Sequence, residues 1–73
     1  MNRRLTAIVE CESDGYVAFC PEVDVASQGE TVSEARENLV EALTLVFESA
    51  SVDEIVRRLR EEVYVTQIEI AVG

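Results

Sequence analysis

The chain has 73 residues, of which 48% are hydrophobic and 29% are charged, a balance typical of one small globular domain and not of a disordered segment. Its net charge of -9 opposes non-specific binding to nucleic acid, because that binding depends on basic side chains neutralising phosphates. The chain has no histidine, which excludes imidazole-based catalysis and the commonest metal ligand. No apolar run approaches the ~20 residues that span a bilayer, and no signal-peptide pattern begins the chain. We therefore expect a cytoplasmic protein without membrane contact.

The first half of the chain predicts an antiparallel hairpin. Apolar and polar residues alternate over positions 4–12, which indicates a strand with two different faces. The Asp14-Gly15 pair is typical of a two-residue hairpin loop, and positions 16–20 form the returning strand. Pro21 then ends the pairing, because proline cannot donate to a sheet ladder.

The two faces of this hairpin lead to different expectations. One face is apolar and consists of Leu5, Ala7, Val9, Cys11, Tyr16, Ala18 and Cys20. The opposite face is mixed, and its apolar members are Ile8, Val17 and Phe19. A single helix covers only one face of a sheet, so we predict that these three residues are contacts in a homo-oligomer. We expect Cys11 and Cys20 to be buried free thiols and not a disulfide, since diagonal sites often exceed the Cα separation that a disulfide allows.

A third strand over positions 23–28 is followed by a long helix. Thr31 and Glu34 form a capping box, in which the Thr31 oxygen accepts the third helical amide and Glu34 reaches back to the N-cap amide. Gly29, just before this cap, is attributed to a positive φ angle. The apolar stripe of the helix comprises Val32, Ala35, Leu39, Ala42, Leu43, Val46 and Ala50, with Leu45 nearly opposite as an exposed leucine or an oligomer contact.

The last third of the chain predicts a short helix and a final strand. Ser51 and Glu54 repeat the capping-box spacing and open the short helix. Its inward residues are predicted to be Ile55, Val56 and Leu59, and its solvated residues Arg57, Arg58 and Arg60. Alternation over positions 63–72 predicts the last strand. The predicted class is α+β, a β-β-β-α-β single sheet on one long helix, with a short extra helix before the last strand.

Carboxylates near the hairpin raise the alternative of a metal-dependent nuclease, because paired metal ions need converging acidic ligands. The two candidate groups are Glu10, Glu12 and Asp14, and Glu22 with Asp24. With 15 acidic residues in the chain, such groups arise by chance. We therefore expect no enzymatic activity, no catalytic residue, no metal and no other cofactor.

Within the segment from Pro21 to Ala42, the Pro-acidic step Pro21-Glu22 is followed by the run Gln28-Gly29-Glu30-Thr31 before the long helix. This combination resembles the signature of the HicB-like family. This family comprises the antitoxin half of HicA–HicB toxin–antitoxin pairs and its short stand-alone, UPF0150-like relatives. The matching positions are Tyr16, Pro21-Glu22, Gln28-Gly29-Glu30-Thr31, Ala35, Asn38-Leu39 and Glu41-Ala42. Many members have Pro-Gly-Cys where this chain has Asp24-Val25-Ala26, and this difference resembles the stand-alone branch.

The resemblance implies one HicB-like domain over residues 1–73, likened to a partial RNase H fold and without a DNA-binding domain. It implies that the module binds protein and sequesters a small, basic, mRNA-cleaving HicA-like toxin. From charge and loop position, we predict that Glu22, Asp24 and Glu30 contact this basic partner. No direct contact with nucleic acid is expected. An orphan oligomeric domain with another role is a further alternative.

Overall fold

The computed structural model describes residues 3–60 and 62–73, and it contains an antiparallel sheet followed by two helices. The strands are β1 (Ile8–Glu12), β2 (Gly15–Cys20) and β3 (Val25–Gly29), and β2 lies between the other two. The helices are α1 (Val32–Ser49) and α2 (Val52–Arg58). This arrangement confirms the predicted α+β class, a single sheet with one long helix and one short helix.

The register of the β1–β2 hairpin differs by two residues from the prediction. Glu12 pairs with Gly15, so the loop is residues 13–14, whereas the prediction placed the Asp14-Gly15 pair in the loop. A two-residue shift leaves every side chain on its predicted face. Gly15 is needed within the strand, because a Cβ atom there would lie 2.6 Å from the carbonyl oxygen of Gly29.

β1 and β3 both begin later than predicted because of the loop at residues 21–24. The Thr6 amide does not join the sheet ladder, since it donates to the Glu22 carboxylate in this loop at 3.0 Å. At the other end of the loop, the Asp24 amide donates to the Cys20 carbonyl at 2.9 Å. Asp24 has a φ of 62°, a left-handed conformation that aspartate tolerates better than most residues.

The core lies between α1 and the sheet, mostly over β2 and β3. Its buried apolar residues are Ala18, Cys20, Val23, Ala35 and Leu39. Gly29 allows this contact, since a Cβ atom there would lie 2.5 Å from the Ala35 nitrogen. The prediction of a positive φ at Gly29 was wrong, since Gly29 is not among the described glycines that have a positive φ angle. The glycine is needed for close packing of the helix on the strand.

Both helix starts have the predicted cap residues. Thr31 Oγ accepts a hydrogen bond from the Glu34 amide at 3.0 Å, and Ser51 Oγ accepts one from the Glu54 amide at 3.2 Å. The Glu34 side chain reaches one residue further back than predicted, since its Oε1 accepts from the Glu30 amide at 3.1 Å. The bonds to Thr31 and Ser51 satisfy amides that a helix leaves without partners in its first turn.

The helix faces agree with the predicted stripes in part. Leu45 is 57% exposed, as its place opposite the stripe predicts, but Val32 at the start of the stripe is 50% exposed. Ile55 of α2 and Leu59, which follows its last residue, are half-buried, whereas Val56 is exposed and its predicted inward position was wrong. The part of the chain that the structure describes has no helix with the length and apolar content required to cross a membrane.

The predicted last strand is not formed. Residues 62–73 have no regular secondary structure, and all of them except half-buried Val63 are exposed. The alternating pattern is present, but a strand also needs a neighbouring strand to bond its amides and carbonyls. We call residues 62–73 the C-terminal arm.

Candidate functional site

Glu22 is the centre of a hydrogen-bonded cluster that joins three parts of the chain. Its carboxylate accepts bonds from the Thr6 amide at 3.0 Å, from the Thr6 hydroxyl at 2.6 Å and from the Cys20 thiol at 3.4 Å. Its own carbonyl accepts from the Arg60 amide at 2.7 Å. Glu22 is only 8% exposed. Its carboxylate is thus committed to internal bonds, and we correct the prediction that it contacts a partner.

The environment of the Glu22 cluster changes two pKa values. Burial alone raises the pKa of the Glu22 carboxyl, but the bonds from the Thr6 hydroxyl and amide outweigh it, so the pKa lies below its ordinary value. Burial raises the pKa of the Cys20 thiol, and the neighbouring Glu22 carboxylate adds to this increase. The cluster therefore holds an ionised carboxylate beside a neutral thiol. We interpret it as structural.

Two arginines of the predicted solvated set bind the same loop. Arg58 donates to the Val23 carbonyl at 3.1 Å, and the Arg60 guanidinium donates to the Pro21 carbonyl at 3.2 Å. With the Arg60 amide bonded to Glu22, these contacts attach the end of α2 to the β2–β3 loop. They also fix the point from which the C-terminal arm leaves the domain.

An acidic cleft lies at the opposite end of the sheet, between the β1–β2 loop and the start of α1. Its volume is about 540 Å³, and its acidic lining residues are Glu12, Asp14, Glu30 and Glu34. All four are exposed, and the lining contains no arginine. Only Glu30 of this group was among the predicted partner contacts. The others were missed because they come together only when the hairpin loop meets the helix start.

Asp24 is exposed but lies away from this cleft. It precedes β3, whereas Glu30 follows it, so the five residues of β3 separate the two side chains by roughly 17 Å or more. The predicted contacts Glu22, Asp24 and Glu30 therefore do not form one surface. Glu30 alone belongs to the acidic cleft.

The residues predicted as oligomer contacts lie together on the sheet face away from α1. Ile8 lies directly opposite Phe19, and Val17 lies opposite Glu10. All three apolar side chains are half-buried. Their neighbours thus shield them in part, and whether they contact another copy stays a prediction.

The acidic groups weighed for a nuclease lie at two ends of the sheet. Asp14 is in the hairpin loop, whereas Glu22 and Asp24 lie in the loop beyond the other end of β2. Within residues 3–60 and 62–73, no three acidic or cysteine side chains are arranged to hold a metal ion. No observation favours the nuclease alternative over protein binding.

The two cysteines are both free, as predicted, but they differ in exposure. Cys20 is buried beside Glu22, whereas Cys11 is exposed on β1. The prediction that Cys11 is buried was wrong, because α1 lies mainly over β2 and β3 and leaves the β1 side of the sheet less covered.

Comparison with known proteins identifies the family. The chain is 44% identical over 64 residues to a UPF0150 protein of Synechocystis sp., and this match covers 85% of the chain and 88% of the relative. It is 32% identical over 68 residues to a UPF0150 protein of Helicobacter pylori, with 92% of the chain and 94% of the relative covered. The chain belongs to the UPF0150 family. No family model matches this UPF0150 chain, and no solved structure does.

Several signature residues of this UPF0150 chain have structural roles. Asn38 donates to the Gln28 carbonyl at 2.8 Å, which attaches α1 to β3. Gly29 permits close packing, Thr31 caps α1 and Leu39 is buried. The signature therefore describes how helix and sheet join, and it carries less information about a partner.

Proposed function

We propose that this UPF0150 protein is a HicB-like binding module that sequesters a small, basic, HicA-like mRNA-cleaving toxin. The observation that supports the proposal most is the acidic cleft, where Glu12, Asp14, Glu30 and Glu34 surround one opening without a compensating arginine. Complementary charge accelerates encounter with a basic partner and disfavours acidic ones. The net charge of -9 also favours encounter with a basic partner.

The test is binding to a HicA-like protein, preferably one encoded in the neighbouring reading frame, measured by titration calorimetry and by inhibition of RNA cleavage. We expect binding that weakens as salt is raised, because exposed charges are screened beyond about 10 Å at 0.1 M salt. Absence of both binding and inhibition would refute the toxin partnership.

A matched pair of variants tests the acidic cleft. The cleft variant replaces Glu12 and Glu30 with Gln and Asp14 with Asn, and it leaves the capping residue Glu34 intact. The control carries Glu37→Gln, Glu41→Gln and Glu48→Gln, which remove the same charge from exposed positions of α1. We expect the cleft variant to lose at least about tenfold in affinity, or ~1.4 kcal/mol, and the control to lose much less. Equal losses would show that net charge, and not the cleft, drives binding.

We also propose that the module is a homo-oligomer. The sheet face with Ile8, Val17 and Phe19 supports this proposal, because α1 packs on the other face. The mass of the protein in solution tests this proposal.

A further inference from the structure

The C-terminal arm is an apolar segment that forms no strand with the other residues described by the structure. Five of its large hydrophobic side chains are exposed: Tyr64, Val65, Ile68, Ile70 and Val72. Ile68, for example, is 80% exposed. Alternating apolar residues in extended chain are the pattern of a strand that pairs on its edge and buries one face.

The chain exposes more surface area than a compact monomer of its mass. The chain exposes 6131 Å², whereas a folded monomer of 8.1 kDa is expected to expose about 4,500 Å². Its radius of gyration is 14.2 Å, compared with about 11 Å for a compact domain of this length. The excess is about 1,600 Å² for each chain. Covering such an excess on two copies would bury an area in the range of obligate dimers.

The domain offers a place for such a strand beside β1. β1 pairs only with β2 among the described strands, so its other edge presents unpaired amides and carbonyls. An apolar groove of about 720 Å³ opens between α1, α2 and the segment that leads into β1. Its apolar lining includes Leu5, Leu39, Leu43, Phe47, Ile55 and Leu59. A strand added to β1 would have its apolar face over this groove.

We propose that two copies of the chain exchange their C-terminal arms, each arm adding a fourth strand to the β1 edge of the other copy. The arm is long enough, since twelve extended residues span about 40 Å and β1 has only five residues. A reciprocal exchange closes as a two-fold dimer and leaves no arm exposed. This inference does not depend on the toxin partnership.

The first test is the mass of the full-length protein by light scattering and sedimentation. We expect twice the chain mass of 8.1 kDa at about 100 µM, a concentration above the micromolar dissociation constants typical of weak dimers. A monomer at this concentration overturns the proposal, whether the arm is free or folds onto its own β1.

The second test compares matched full-length variants. Ile68→Asp places a charge in the arm, and the control Val52→Asp places one at a position that is 75% exposed and outside the groove. We expect Ile68→Asp to raise the dimer dissociation constant at least about tenfold and the control to leave it unchanged. Because Ile68 is exposed within its own chain, circular dichroism should show a folded protein. A dimer unaffected by Ile68→Asp overturns the proposal and favours the sheet face with Phe19.

Complementation separates exchange from other interfaces. Val40→Asp charges the groove at a position that is 51% exposed, while it leaves the arm intact. Each variant alone should be less dimeric than the native protein, but a mixture of Ile68→Asp and Val40→Asp should form heterodimers through one intact arm and one intact groove. If the mixture is no more dimeric than the separate variants, arm exchange is refuted.

Discussion

Replacing Glu22 with Gln tests whether its ionised carboxylate attaches the segment before β1 to the β2–β3 loop. The change keeps the shape of the side chain but removes the charge that accepts two bonds from Thr6. A hydrogen bond to a charged group contributes about 1.5–3 kcal/mol and a neutral one about 0.5–1.5 kcal/mol. Thr6 donates two bonds, one from its amide and one from its hydroxyl. Because both change from a charged to a neutral acceptor, we expect the free energy of unfolding to fall by about 2 kcal/mol. The melting temperature should then fall by about 8–16 °C.

The dependence on pH makes this prediction specific. The folded-state pKa of Glu22 lies below its ordinary value, so its stabilising effect is complete above the unfolded-state pKa of about 4.3. The effect is lost as the pH falls through the folded-state pKa, where the native carboxyl takes up a proton. The difference between the native protein and Glu22→Gln should therefore be largest near neutral pH and shrink below about pH 4.

The assay is urea unfolding followed by circular dichroism at a series of pH values and at one fixed protein concentration. The fixed concentration matters because dimer formation also changes apparent stability. Asp24→Asn is the matched control, since it removes one charge from the same loop at an exposed position and asparagine also tolerates the φ of 62°. If Glu22→Gln is as stable as this control, or if its effect does not change with pH, the assigned role of Glu22 is wrong.

Two further predictions concern packing. Gly29→Ala should lower the free energy of unfolding by about 1–3 kcal/mol, because its methyl group would lie 2.5 Å from the Ala35 nitrogen. Thermal melts check this, and a melting temperature unchanged by Gly29→Ala would contradict the close contact between Gly29 and the start of α1. In thiol labelling, the native protein should expose one reactive cysteine, Cys11, while Cys20 reacts only on unfolding. Cys11→Ser should remove the fast reaction, and rapid labelling of both thiols would contradict the burial of Cys20.

Local sequence patterns predicted much of this UPF0150 fold. The alternation of the first two strands and the capping residues Thr31 and Ser51 were predicted and are confirmed. Leu45 lies outside the core, as its position opposite the apolar stripe predicts. These features depend on interactions within a few residues, where side-chain type and spacing decide the outcome. The hairpin register was wrong because a shift of two residues preserves every face, so the hydrophobic pattern cannot distinguish the two pairings.

The candidate sites depended on contacts that the sequence does not specify. Glu22 was predicted as an exposed contact, yet Thr6, sixteen residues away, buries it by hydrogen bonding. The acidic cleft joins residues from a hairpin loop and a helix start, so only Glu30 of its four carboxylates was recognised. Charge and position along the chain do not reveal which carboxylates meet, because that depends on how the elements pack.

The sequence by itself determined the types of β1, β2, β3, α1 and α2, the helix caps, the family and the strand-forming pattern of the last residues. The tertiary structure decided which carboxylate is buried, where the acidic residues converge and that the C-terminal arm pairs with none of the described strands. The physical reason is that backbone conformation follows local residue preferences, whereas burial and pairing depend on surfaces brought together from distant positions. A strand pattern therefore predicts that a segment will pair, but the surrounding fold decides which edge it pairs with.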